Sequence, residues 1–182
     1  MATVYTTGDG LAYAAEDGTL LVIGPMLDLI TDRSEADVGA VRALETAIKS
    51  GTATEEQVLE YLNAHQKGAY THEDLNRVEL AVAYVGERLR SFGYPQSVYS
   101  IWLWSMTDKP NEADLSRYFN NVAKIRSLIP VWATTPEAPN SVIGFDIHKA
   151  NALEQILADV DQILSLIRDA WFYSGDLYLA EV

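Results

Sequence analysis

The chain contains no cysteine, which excludes disulfides, thiolate nucleophiles and cysteine-based zinc sites. Histidine is almost as scarce, with only His65, His72 and His148. None stands at the short spacing from another ligand that a metal needs, so each reads as solvent-facing or capping. Positive charge is thin: 13 Lys and Arg against 26 Asp and Glu leave a formal net charge of −13. Such a surface repels phosphate backbones and anionic lipid heads, so neither nucleic acid nor membrane is an expected partner. The longest apolar run, residues 20–26, falls far short of the ~20 residues that a membrane span requires. The opening MATVYTTGDG lacks the basic and apolar regions of a secretory signal, so synthesis and folding in a cytoplasm without export are expected.

Catalytic signatures are missing as well. There is no GxSxG elbow and no lysine in a Walker-type loop, and Gly8-Asp9-Gly10 is too short to cradle phosphate. No enzyme activity, cofactor or metal is expected.

What the chain has is helical patterning. Its 182 residues, 48% hydrophobic, suit one packed domain with an appendage. The expected fold is mainly α: a three-helix bundle core with two shorter N-terminal helices and a small N-terminal β-hairpin. The boundaries fall at 1–30 for the hairpin or docking segment, 31–68 for the two short helices and 69–182 for the bundle. Apolar residues 11–15 and 19–23 flank Glu16-Asp17-Gly18, where Asp-Gly supplies the positive φ of a tight turn. Gly24-Pro25 then breaks the pattern. Residues 34–50 put Val38, Val41, Leu44 and Ile48 on one helical face and stop at Gly51. Thr54-Glu55-Glu56-Gln57 fits a capping box that opens a helix to about Gln66.

Three longer helices follow. The first starts near His72 with Thr71 as cap and steps through Leu75, Val78, Val82, Val85 and Leu89 before Gly93 and Pro95. The second opens at Pro110-Asn111-Glu112 and steps through Leu115, Tyr118, Val122, Ile125 and Ile129 before Pro130. The third, residues 147–173, carries Leu153, Leu157, Val160, Leu164, Ile167 and Trp171, with Ile156 and Ile163 beside that line. So wide an apolar face predicts packing against two neighbours at once.

Glu154, Asp159, Asp161, Asp169 and Asp176 on the last helix and tail read as a solvated face. Asp159 and Asp161, two apart, project to different sides. Asp108, Glu112 and Asp114 read as first-turn charges favoured by a helix dipole, and Arg88 and Arg90 as a helix end. Asn76 and Asn151 each stand early in a long helix, beside the apolar line. Each is either a surface or helix-start residue, or part of a structural polar network with Arg77 and Glu154 that bonds a neighbouring loop and fixes register.

The connections at 96–106 and 131–145 exceed the ~2–8 residues usual between bundle helices. They hold Tyr99, Trp102, Trp104 and Trp132. These aromatics either cover a bundle edge or anchor a partner chain. As interface residues they are grouped with Leu21 and Val22 of the opening segment.

Several short motifs recur in a fixed order: Leu29-Ile-Thr-Asp-Arg33 with Ala36-Asp37-Val38, Lys67-Gly-Ala-Tyr70, and Asp74-Leu-Asn-Arg-Val-Glu79. The second half continues with the Trp102/Trp104 segment, SRYFNNV, Thr134-Thr-Pro136, Pro139, Ala150-Asn-Ala-Leu-Glu154 and Trp171-Phe-Tyr-Ser-Gly175. Together they resemble small virion structural proteins encoded in phages and prophages of Gram-positive gut bacteria, over most of the chain from Leu27 onward. The resemblance implies a non-enzymatic tail-, baseplate- or fibre-associated component of the virion, a homo-oligomer in contact with other virion proteins. A module binding cell-wall carbohydrate on the host surface is the alternative it leaves open.

Overall fold

A computed structural model describes the backbone of residues 3–7, 10–14, 20–23, 28–62, 66–95, 97–100 and 103–179, and side chains within 28–170. Three short strands, β1 (Thr3–Thr7), β2 (Gly10–Ala14) and β3 (Leu20–Ile23), pair antiparallel in the order β1-β2-β3. Thr3 lies opposite Ala14, and Leu11 opposite Ile23. The expected turn at Glu16-Asp17-Gly18, and the side chains of Leu21 and Val22, lie outside the described residues.

Five helices follow: α1 (Glu35–Lys49), α2 (Glu55–Leu62), α3 (His72–Ser91), α4 (Glu112–Leu128) and α5 (Ile147–Leu179). Their starts are dictated locally. Ser34, Thr71 and Asn111 each cap a helix and exchange bonds with an aspartate three residues on, namely Asp37, Asp74 and Asp114. Thr54 and Gln57 do the same at α2, through bonds of 2.9 and 3.2 Å. These reciprocal bonds satisfy N–H groups that a helix cannot pair internally. α1 ends as its pattern predicts: Gly51 takes φ 70°, and Thr52 N–H reaches Ala47 C=O at 2.9 Å.

The three long helices pack pairwise around one core. α3 contributes Val78, Val82, Val85 and Leu89, and α4 contributes Tyr118, Val122 and Ile125. α5 supplies Leu153, Ile156, Leu157, Val160 and Leu164, all at 0% exposure, with Ile163 partly buried against them; Ile167 is only half-buried, and the side chain of Trp171 lies outside the described residues. A helix buried along two adjoining lines must meet two neighbours, which is why α5 packs on both α3 and α4. Gly68 permits one close approach: a Cβ there would sit 2.1 Å from the Asp37 carbonyl oxygen. Segment 66–70 therefore lies directly on the start of α1.

Some boundaries differ from expectation. α5 runs through the expected stop at Tyr173 to Leu179, because Gly175 weakens a helix without ending it. Gln66, expected to close α2, lies outside the helix, and its carbonyl accepts the Ala69 N–H at 2.9 Å. Asp108 is not a first-turn charge. It closes a separate turn by accepting the Ser105 N–H at 2.7 Å and its hydroxyl at 2.8 Å.

Candidate functional site

Where the N-terminal segment meets the first turns of α3 and α5, four charged side chains lie together. Arg33 Nη2 donates to Asp74 Oδ1 at 2.8 Å and to Glu154 Oε1 at 2.7 Å. Arg77 donates to both oxygens of Glu154 at 3.1 Å and also to Asp74. Glu154 Oε2 takes the Ile30 N–H as well, and Asp74 Oδ2 takes the N–H and hydroxyl of Thr71. Every carboxylate oxygen in the cluster thus has two donors. Burial opposes the charge on Arg77, but Glu154 and Asp74 outweigh it and hold the group above its ordinary range. The Arg33 guanidinium also lies 5.4 Å from the Tyr70 ring centroid, and its Nε is buried without a partner.

Asn151 adds a two-point backbone clasp. Its Oδ1 accepts the Arg33 N–H at 3.0 Å, and its Nδ2 donates to the Arg33 carbonyl at 2.9 Å. Asn76 repeats the device on α3, gripping Trp104 N–H and C=O at 2.9 Å each. Both asparagines sit four residues after the first residue of their helix (72 to 76, 147 to 151), and a buried glutamate follows three later (79, 154). Both asparagines thus bond the backbone of a segment distant in sequence. Asn76→Ala should cost about 1–2 kcal/mol, because the loop peptide loses both partners. Faster hydrogen exchange at the Trp104 amide is the accompanying result; unchanged protection there would show that the clasp holds nothing.

Several acidic and basic residues are not where the solvated-face reading put them. Glu154 is fully buried in the clasp. Asp159 is buried too, accepting from the Thr135 hydroxyl and from Gln155 Nε2 at 2.6 Å each. Asp161 pairs with Arg88, which also donates to the Asp161 carbonyl at 3.0 Å and to Ser165 Oγ at 3.1 Å. Arg88 therefore ties α3 to α5 rather than merely ending a helix. Asp169 is exposed, and the side chain of Asp176 lies outside the described residues. Sequence reasoning also missed Glu79, paired with Arg117 at 2.6 Å, and Asn121, whose Nδ2 donates to the Tyr99 carbonyl at 2.7 Å. One signal was available: Glu79 and Glu154 stand within apolar lines, three residues before Val82 and Leu157. A glutamate there must bury its charge and find a cation.

Beside the clasp, the hydroxyls of Tyr70 and Tyr118 bond one another. Burial, the dominant cause, pushes the Tyr118 phenol well above its ordinary 10.0 and raises Tyr70 too. The unfolded phenols ionise near 10 while the folded pair stays neutral, so their stabilising contribution is whole below that pH and is lost above it. Urea midpoints should hold up to about pH 10 and then fall, with Tyr118→Phe reducing the fall. A midpoint indifferent to pH across that range would contradict the burial.

Next to the tyrosines a cleft of about 760 Å³ opens between α2 and the segment before α4, with Trp104 on its wall. The Trp104 indole Nε1 is buried without a partner. The other interface candidates are scattered: Tyr99 is exposed, Trp132 half-buried, and Trp102 lies outside the described residues. His72 lines the cleft, His148 is exposed, and His65 lies outside the described residues. Among the described residues no group of three or more His, Asp or Glu is placed to hold a metal, and no helix is long and apolar enough to cross a membrane. The clasp neutralises its own charges and saturates its acceptors, an arrangement suited to locking segments together. A comparison of this chain with known protein families, curated proteins and solved structures finds no match.

Proposed function

We propose that this chain is a non-enzymatic structural component of a bacteriophage virion, tail-, baseplate- or fibre-associated, made in the host cytoplasm and acting through contacts between subunits. The carrying observation is where the ordered motifs meet. Arg33 from the first, Tyr70 from the second, Asp74 and Arg77 from the third, and Asn151 and Glu154 from Ala150-Asn-Ala-Leu-Glu154 converge on one buried clasp. Motif residues that serve to hold the fold together support an architectural role.

In this reading the three-helix bundle is a rigid body. The N-terminal hairpin, with Leu21 and Val22, and the connections holding Tyr99, Trp102, Trp104 and Trp132 touch neighbouring copies and other virion proteins. Exposed Tyr99, Leu103 and Met106 in one such connection support that. Because two of these three are aliphatic, they suit a protein neighbour better than the cell-wall sugar of the host-binding alternative. Mass spectrometry of purified particles tests the placement, and absence from particles would sink it. Alanine at Trp102 and Trp104 should leave helicity largely intact but impair incorporation; normal incorporation would remove that connection from the contacts.

A further inference from the structure

We propose that the cleft between α2 and the segment at 103–110 docks a foreign polypeptide segment bearing an apolar anchor flanked by lysine or arginine. The cleft presents Tyr61, Leu62, Leu75, Met106, Leu115 and Phe145. One wall is unfinished. α2 has only eight residues and buries none of them, leaving Leu59 53% and Leu62 58% exposed, while Met106 opposite is 76% exposed. So short a helix is marginal in water, and cover on its apolar side would stabilise it.

Charge selects the occupant. Among the described residues, the charged ones lining the cleft are Glu45, Glu73 and Asp108, with no lysine or arginine. Lys49 offsets Glu45 in part, at 3.4 Å. The chain's own ends are poor candidates, because neither residues 1–32 nor residues 169–182 hold a single Lys or Arg. A second copy would set the same three carboxylates against themselves, which like-charge repulsion disfavours. A cationic segment from another protein with an apolar anchor meets both demands. This inference does not depend on placement in a virion.

Selection of a random peptide library on the full chain tests it. The expected winners combine a Leu, Met or Trp anchor with flanking Lys or Arg, and bind more weakly as salt rises. Leu62→Asp should weaken them about tenfold and Glu45→Lys several-fold, the scale for losing an anchor contact and a rim charge. Leu62 is exposed and Glu45 partly so, and circular dichroism verifies that both variants fold. Failure to enrich any peptide, acidic winners, or basic winners indifferent to both substitutions would overturn the proposal. So would a dimer of the chain that Leu62→Asp abolishes, since the occupant would then be a second copy.

Discussion

Glu154→Ala is expected to lower stability by about 3–5 kcal/mol, the range for breaking a buried ion pair by deleting one partner. The reason is geometric. Glu154 is fully buried and holds Arg33, Arg77 and the Ile30 N–H at once. Without it the Arg33 side chain, 1% exposed, keeps only Asp74 as a counter-ion. Exposed ion pairs rarely exceed about 1 kcal/mol, so the scale of the loss separates a clasp from surface decoration. Urea unfolding followed by circular dichroism measures it. A melting temperature lower by about 2–4 °C for each kcal/mol should accompany the change. The companion Arg33→Met/Glu154→Leu should recover part of the loss, because it removes both charges and refills the space. A loss below about 1 kcal/mol for Glu154→Ala would mean that the N-terminal segment is held by something else.

The second large effect belongs to the core of α5. Leu157→Ala should cost about 2–5 kcal/mol, because the cavity left behind cannot collapse when neighbours press from two sides. Leu157 is fully buried, whereas Leu166 on the same helix is 55% exposed. Leu166→Ala should therefore change stability by no more than about 0.5 kcal/mol. Comparable losses at both positions would show that α5 does not present its apolar lines to α3 and α4 as described.

The helices were legible because their signals are local. Val78, Val82, Val85 and Leu89 repeat every three or four residues, and that spacing alone puts them on one face of α3. Thr71 and Thr54 announced helix starts through bonds that reach only two or three residues. The clasp was only half legible. Asn76, Asn151, Arg77 and Glu154 were singled out as a polar network, yet their partners were not all named. Arg33 lies 121 residues from Glu154 and 41 from Asp74, and no periodicity encodes such a pairing. The acids of α5 were misread for a related reason. Spacing shows that Asp159 and Asp161 face different ways, but not that Thr135 and Arg88 wait on those sides.

By itself the sequence determined the number, order and facing of the long helices, because backbone hydrogen bonding and side-chain periodicity operate within a few residues. It also determined a strong excess of negative charge, since composition requires no folding. Only the tertiary structure decided which carboxylates are buried and which remain wet, and that Arg33, Asp74, Arg77, Asn151 and Glu154, far apart in the chain, share one clasp. It alone shows a cleft rimmed by acids beside α2. Those outcomes depend on distances between segments far apart in the chain, and chain connectivity leaves such distances free until packing closes them.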